Sequence, residues 1–378
     1  MDKKGINEVR KLFSKDDCRI DRMCGCYVNE KKEHIADIAG LLSVLPDEEQ
    51  FKYCDIFRKA LSGKVGKTLH NVEIPLSEEK EGGRQPELYR LLKSGLKDPE
   101  LVERFFDRVI NCYKAGSDKY LILLVHGVYD IPGRGADGIF MEDASLDVYE
   151  FLQLSICPVT LLRDGLCYDA DEKSFVNRTE DWGVQKPDTG FLYPAFNDRN
   201  ADIHAALWYA RNEENRHEEL SEELLGCPLP RARSEEQNVF REVIEIALGE
   251  DCDYENVKNV NEAVNRLVEE GKDEPEPVEI TKGSLRAILY DNGADDEAVA
   301  RLDKAYDELA GEDDAPILAE NIAEPKKIRI RSDSISLDVD AESAELVETR
   351  VIDGMEYFLI PVTDNVTVNG IRIRRKGE

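Results

Sequence analysis

Four apolar, β-prone runs follow one another between residues 120 and 210 and restrict the folds that this chain can adopt. The segments between them contain turn-forming residues but no clear pattern for a crossover helix. Because parallel strands need such crossovers, the runs predict buried strands of an antiparallel sheet. They span residues 120–129, 148–161, 190–196 and 203–210.

Helices are predicted on the N-terminal side of these runs. At Asp98-Pro99-Glu100 the aspartate suits a helix cap, the proline suits the first helical position, and the glutamate suits the positive helix end. A second helix start follows at Pro46-Asp47. The predicted fold class is therefore α+β, with an antiparallel sheet core and flanking helices.

The negative charge of the chain is concentrated in one part of it. The whole sequence contains 50 lysines and arginines against 80 aspartates and glutamates, a formal net charge of −30. Residues 211–320 contain 12 basic and 32 acidic residues, so this segment has a net charge of −20. The capping pattern Ser234-x-x-Gln237 is one of several helix signals there. We therefore predict an acidic helical segment over residues 212–320, after a mixed α/β core domain over residues 1–211.

Residues 321–378 predict a small C-terminal β unit. Ile335, Leu337 and Val339 alternate with polar residues, which is the period of a strand with one buried face. Asp353-Gly354 and Asn369-Gly370 are two-residue turn signals of the kind that joins hairpin strands.

Composition narrows the class of protein. Hydrophobic residues make up 41% of the chain, which is enough to bury a core. The longest uncharged apolar stretches fall short of the roughly 20 residues that a membrane helix needs. The first residues lack the apolar core of a signal peptide. These features predict a cytoplasmic protein with no membrane contact.

The nine cysteines support the same compartment. Their number is odd and no C-x-x-C pair occurs, so reduced thiols are expected. Cys18, Cys24, Cys26 and His34 offer zinc-ligand types, but zinc sites favour two well-spaced ligand pairs and this set has one cramped pair. No metal site is predicted.

The densest polar cluster lies between the third and fourth apolar runs, at residues 197–204. Asp198, Asp202 and His204 are suitable for a divalent metal or for acid/base catalysis, with Arg199 beside them. The alternative is structural: the aspartates cap turns, and Arg199 or Arg178 pairs with one of them. If the chain has a catalytic site, these residues are its best candidates.

Two further motifs have simpler explanations than catalysis. Residues 133–138 match G-x-G-x-x-G, but Pro132 precedes them and no convincing helix follows, so a flexible hairpin loop explains the glycines. Cys157 could act as a thiol nucleophile with His126 or His204, but its apolar run indicates a buried structural cysteine. No cofactor is predicted.

One cationic cluster near the C-terminus could touch phosphates. It consists of Arg372, Arg374, Arg375 and Lys376, which lie in or beside a predicted strand. Charge that protects an edge strand against aggregation is the alternative explanation. The net charge of −30 disfavours nucleic acid as a partner, because the molecule as a whole repels phosphate.

Several strings resemble a bacterial family known as domain of unknown function 4317. They are Met23-Cys-Gly-Cys-Tyr-Val28, Phe57-Arg-Lys-Ala-Leu-Ser-Gly63, Ser155-Ile-Cys-Pro-Val159, Gly190-Phe-Leu-Tyr-Pro-Ala-Phe-Asn-Asp-Arg199 and Leu346-Val-Glu-Thr-Arg-Val-Ile-Asp-Gly354. The resemblance runs along nearly the whole chain and implies a cytoplasmic protein of this length. It implies no activity and no functional residues.

A weaker likeness concerns the order of parts alone. A mixed sheet domain, acidic helices and a short β region follow one another as in the 37-kilodalton nucleoid-associated proteins. Ile335-x-Leu337-x-Val339 followed by Arg350-Val351 is similar to the C-terminal strands of that family. This resemblance implies contact with DNA.

Three functions follow from these observations. The first is a non-enzymatic binding or regulatory protein that acts through protein partners, since no catalytic motif stands out. The second is a nucleoid-associated role with DNA contacts. The third is an enzyme built on the cluster at residues 197–204. The sequence leaves the partner's identity and the formation of homo-oligomers open.

Overall fold

The computed structural model describes residues 1–14, 18–114, 119–134, 140–162, 165–169, 173–178, 182–274, 276–310, 315–361, 366–368 and 371–372. The chain divides into two compact units, Met1–Arg233 and Ser234–Glu378. The second unit holds both the acidic helices from α6 (Arg233–Leu248) onward and the C-terminal strands. None of the described helices is long and apolar enough to cross a membrane.

The first unit combines five helices with the larger share of the strands in the described chain. Its helices are α1 (Lys3–Lys11), α2 (Asp47–Ala60), α3 (Arg84–Lys93), α4 (Pro99–Cys112) and α5 (Glu218–Leu225). Its strands are β1 (Ile20–Val28), β2 (His34–Gly40), β3 (Leu69–Glu73), β4 (Tyr120–Arg134), β5 (Phe140–Leu161), β6 (Gly165–Asp169), β7 (Ser174–Arg178), β8 (Trp182–Val184), β9 (Thr189–Tyr193), β10 (Ala195–Asn197), β11 (Asn200–Asp202) and β12 (Ala205–Ala210).

A single antiparallel sheet organises this unit. Its strand order is β2-β1-β4-β5-β9-β12-β3, and β8 pairs with the end of β5. Each neighbouring pair along this order is antiparallel. Three of the apolar runs predicted as strands lie in β4, β5 and β12, and the run at residues 190–196 is divided between β9 and β10. The predicted α+β class and the antiparallel sheet core are thereby confirmed.

Both faces of the sheet are buried, and β4 explains how the sequence achieves this. Ile122 and Leu124 point into one core, whereas Leu121, Leu123 and Val125 point into the other. The first core is closed by α3, α4 and α5, and the second by α1 and α2. A strand covered by helices on both faces has no solvent face, so its apolar run is continuous rather than alternating.

Helix α4 begins as its sequence predicts. The Asp98 carboxylate accepts hydrogen bonds from the backbone amides of Glu100 and Leu101, at 3.1 and 3.3 Å. Phe105 and Val109 then fall on the buried face, one turn apart. The cap supplies acceptors for amides that the helix leaves unpaired, and the apolar face fixes the helix against the sheet.

Helix α5 belongs to the first unit despite its acidic sequence. Leu220 and Leu224 are buried in the same core as α4, and Gly226 ends the helix in a left-handed conformation. Its glutamates lie on the outer side of this apolar face, as in other amphipathic helices.

The second unit has its own core. Its remaining helices are α7 (Tyr254–Glu270), α8 (Lys282–Asp291), α9 (Asp296–Leu309) and α10 (Ala319–Ile322). Its strands form two-stranded pairs: β13 (Glu279–Ile280) with β14 (Ile317–Leu318), β15 (Lys327–Arg331) with β16 (Ser336–Asp340), β17 (Glu348–Ile352) with β18 (Met355–Leu359), and β19 (Thr367–Val368) with β20 (Ile371–Arg372). Val243, Val260, Leu285, Leu302 and Tyr306 are among the buried residues that unite its helices.

The described cysteines are free thiols, and Cys18 and Cys54 come closest together, with 3.4 Å between their sulfur atoms. We expect titration of the denatured, unreduced protein with a thiol reagent to report close to nine groups. The physical reason is that thiols stay reduced in a reducing compartment. A count near one would instead indicate a disulfide framework and contradict the predicted cytoplasmic location.

Candidate functional site

The polar cluster at residues 197–204 forms the tip of a short hairpin. Strands β10 and β11 pair antiparallel, with Asn197 opposite Asn200. Asp198 and Arg199 fill the two turn positions, with φ values of 48° and 60°. Such left-handed angles match a two-residue hairpin turn, and aspartate tolerates them better than most residues.

The side chains of this cluster bind their own loop and its neighbours. The Asp202 carboxylate accepts hydrogen bonds from Asn197 Nδ2, at 2.8 Å, and from the backbone amide of His204, at 3.1 Å. His204 Nδ1 lies 2.6 Å from Glu79 Oε1. The groups are thus engaged separately, which favours the structural interpretation of the cluster.

Arg199 fastens the hairpin tip to the rest of the first unit. Its Nη2 donates to the Pro132 carbonyl at 3.0 Å and lies 3.3 Å from Glu8 Oε1. The same Glu8 oxygen accepts a hydrogen bond from the hydroxyl of Tyr129 at 2.9 Å. Arg199 therefore braces β10 and β11 against α1 and β4. Among the described residues, no group of three or more histidine, cysteine, aspartate or glutamate side chains could hold a metal ion.

Asp202→Ala is expected to lower the free energy of unfolding by about 1 kcal/mol, because the His204 amide and the Asn197 side chain lose their acceptor. Chemical denaturation of the variant measures this loss. Asp198→Asn is the matched control, since Asp198 is exposed and asparagine also tolerates a left-handed turn. A loss on Asp198→Asn with none on Asp202→Ala would contradict this assignment.

The structure describes only part of the predicted nucleic-acid contacts. Arg372 belongs to β20 by its backbone, while Arg374, Arg375 and Lys376 lie outside the described residues. The same holds for most of the glycine motif at residues 133–138, and the Arg178 side chain is likewise outside them. Contact between the cationic cluster and phosphate stays a prediction.

A buried polar group that the sequence did not point to joins three distant segments of the first unit. The Asp188 carboxylate lies 2.9 Å from His217 Nε2 and accepts a 3.0 Å hydrogen bond from the Tyr113 hydroxyl. The His217 and Tyr113 rings contact each other with centroids 5.0 Å apart. His217 itself has a left-handed backbone, with φ 55°, at the residue before α5.

Burial and charge set the electrostatics of this group. Burial would raise the pKa of Asp188, but the hydrogen bonds from His217 and Tyr113 together hold it below its ordinary value. Burial and the nearby Asp188 charge raise the pKa of Tyr113. Burial also raises the pKa of the Cys157 thiol to about 12, so this cysteine is no thiolate nucleophile at neutral pH. His217 and Tyr113 are fully buried, so the group ties α4 and α5 to the sheet rather than facing a substrate.

One face of the β17–β18 hairpin exposes several apolar side chains. Ile352 pairs with Met355 and Arg350 with Tyr357, and side chains of such cross-strand neighbours share a face. Ile352 and Tyr357 are each 41% exposed and Met355 is 60% exposed. We call Ile352, Met355 and Tyr357 the hairpin face.

The opposite side of this hairpin is attached to the second unit. Phe358 packs edge-on against Tyr254 of α7, with ring centroids 5.4 Å apart. The Tyr254 hydroxyl donates to the Ala344 carbonyl at 3.3 Å. Phe358 therefore anchors the hairpin to α7, while Ile352, Met355 and Tyr357 expose apolar surface on the other side.

In a comparison with known families, residues 1–371 match the model described as Domain of unknown function (DUF4317). The chain belongs to this family. A search of curated proteins finds no match. Three of the strings that carry the family resemblance lie in β1, in β5, and along β9 and β10.

Sequence reasoning missed two features of this DUF4317 chain for different reasons. Asp188 lies 29 residues before His217 and 75 residues after Tyr113 along the chain, and no local sequence pattern indicates their contact. The hairpin face has a signal, since the segment from Val351 to Ile360 is rich in apolar residues with a turn at Asp353-Gly354. That signal predicts strands but does not say which face remains uncovered.

Proposed function

We propose that the protein is a non-enzymatic cytoplasmic binding or regulatory protein that acts through protein partners. The observation that carries this proposal is the hairpin face, where Ile352, Met355 and Tyr357 expose apolar surface side by side. Grouped apolar side chains on a surface mark interaction sites, whereas single exposed ones are ordinary.

The strand arrangement supports the same role. Within the described residues, β17 and β18 form a sheet of two strands, so the outer edges of both carry unpaired backbone groups. An isolated two-stranded hairpin is only marginally stable in water. An extended segment of a partner that adds a strand would pair one edge and cover apolar side chains at once.

The charges near the hairpin face indicate what the partner offers. Arg350 Nη2 lies 3.2 Å from Glu348 Oε2, so the cation on this face is already paired with an acid of its own strand. Charge therefore does not select the partner strongly, and an apolar segment of another protein is the expected occupant.

Two further observations support the other parts of the proposal. The Asp202 carboxylate binds its own loop and His204 contacts Glu79, which favours a non-enzymatic role. The free thiols of the described cysteines are typical of a reducing compartment such as the cytoplasm.

Affinity purification of the tagged full-length protein from its own host, with and without nuclease, tests this function against the DNA-contacting alternative. We expect a defined protein partner that is retained after nuclease treatment. Recovery of proteins that disappears with nuclease would support the nucleoid-associated alternative. Recovery of neither would overturn the proposed role.

A further inference from the structure

We propose that a cationic cleft in the first unit binds a nucleotide-sized ligand that carries phosphate and an apolar moiety. The cleft has a volume of about 540 Å³ and lies between α1, the C-terminal half of α2 and the segment of residues 184–187. Arg10, Arg58, Lys59 and Lys186 contribute four cations to its lining. This site is separate from the hairpin face, which belongs to the second unit.

The charges of this cleft depart from those of the chain as a whole. In a molecule with a net charge of −30, the cleft lining contains one carboxylate, Asp55. That carboxylate is paired with Arg58 at 2.6 Å. Within the described part of the chain, Arg10, Lys59 and Lys186 have no ion pair, so three cations without an acidic partner line this one cleft. An anionic ligand would supply the missing charge.

The local fold explains how these cations can lie close together. Arg10 is in the last turn of α1 and Lys59 in the last turn of α2. The negative end of the helix dipole stabilises cations at such positions. Lys186 comes from a third element, so the cluster is not a consequence of one helix end.

The walls of the cleft are held by buried contacts. Gln153 Nε2 donates to the Phe57 carbonyl of α2 at 2.8 Å, and Phe57 itself is fully buried. The backbone amide of Gln185 donates to the Pro158 carbonyl at 2.8 Å. Val9 of α1 is buried in the same core. The cations therefore project from a fixed frame, which lowers the entropic cost of binding.

The size and lining of the cleft favour a compact ligand over a polymer. Its volume falls within the range of small-molecule sites. Ile56, Val184 and Pro187 add an apolar wall beside the cations, which suits a ligand with both a charged and an apolar part. Duplex DNA would instead need cations spread along a stripe to follow its phosphates. A nucleoside phosphate meets both requirements.

Titration calorimetry of the full-length protein at low salt, with ATP and with inorganic pyrophosphate as probes, tests this site. We expect ATP to bind with one site per chain and more tightly than pyrophosphate.

The double substitution Lys59→Gln and Lys186→Gln should weaken ATP binding at least about 10-fold, because two charge-assisted contacts are lost. The control, Lys3→Gln with Lys4→Gln, removes the same charge from exposed positions of α1 that do not line the cleft. It should change the dissociation constant less than about twofold.

Three results would overturn the proposal. The first is no binding of either probe at millimolar concentration. The second is an equal loss of affinity in the cleft and control variants, which would indicate general attraction of anions. The third is pyrophosphate binding as tight as ATP binding, or tighter binding of a DNA duplex that the cleft substitutions abolish. Tryptophan fluorescence serves as the folding check for each variant, since Trp182 and Trp208 both belong to the first unit.

Discussion

Replacing Asp188 with alanine is expected to lower the free energy of unfolding of the first unit by about 3 kcal/mol. The substitution leaves the buried Tyr113 hydroxyl and His217 Nε2 without their acceptor. Each unsatisfied buried polar group costs about 1–3 kcal/mol, and more where charge is involved. Guanidinium denaturation followed by tryptophan fluorescence measures the loss in this unit alone, because Trp208 is fully buried in its core.

Two milder variants serve as controls for this prediction. Asp188→Asn keeps an acceptor oxygen and should cost less than alanine. Tyr113→Phe removes one hydrogen bond and leaves His217 paired, so it should cost about 1 kcal/mol. An alanine variant as stable as the parent would contradict the structural role of the group.

The same group predicts a dependence on pH. The pKa of Asp188 is lower in the folded protein than in the unfolded chain. Its contribution to stability is therefore fully present above the unfolded pKa, near 3.8, and is lost as the pH falls through the lower folded value. The stability difference between the parent and Asp188→Asn should therefore shrink as the pH falls below 3.8. A difference that grows on acidification would contradict this sign.

Gly190→Ala is expected to cost about 3 kcal/mol or to prevent folding of the first unit. A Cβ atom at Gly190 would lie 2.1 Å from the Leu154 carbonyl oxygen and 3.2 Å from the Ser155 Cα. Both atoms belong to the backbone of β5, which pairs with β9 in the interior of the sheet. Because neither can rotate away as a side chain would, the two strands would have to separate.

Gly40→Ala is the matched control, since Gly40 also lies in a strand of the same sheet. A Cβ atom there would meet nothing within 4 Å. Its stability should stay within about 0.5 kcal/mol of the parent. Equal stability of both alanine variants, measured by the same fluorescence denaturation, would contradict the strand packing at Gly190.

The sequence determines much of this fold through local patterns. The continuous apolar run from Tyr120 predicts a buried strand because every position of β4 from Tyr120 to Val125 faces a core. Asp98-Pro99 predicts the start of α4 because cap chemistry depends on adjacent residues. Features of this kind need only a short window of sequence.

Features that depend on distant segments could not be predicted in the same way. The acidic sequence of α5 suggests that it belongs with the acidic helices that follow it. In the structure, Leu220 and Leu224 attach it to the core of the first unit instead. The contact of Asp188 with His217 and Tyr113 forms only when three segments pack together. The cluster at residues 197–204 drew attention through its residue types, but its contacts hold the hairpin tip in place.

The most direct test of a protein-binding role compares partner recovery by the parent with recovery by variants of the hairpin face. Met355→Ser with Tyr357→Ser removes its two most extended side chains, and Val351→Ser, 68% exposed on the other side of β17, is the matched control. In quantitative affinity purification after nuclease treatment, we expect the double variant to recover at least about 10-fold less of the partner, and Val351→Ser to recover as much as the parent. Equal recovery by all three proteins would contradict the assignment of partner binding to this face.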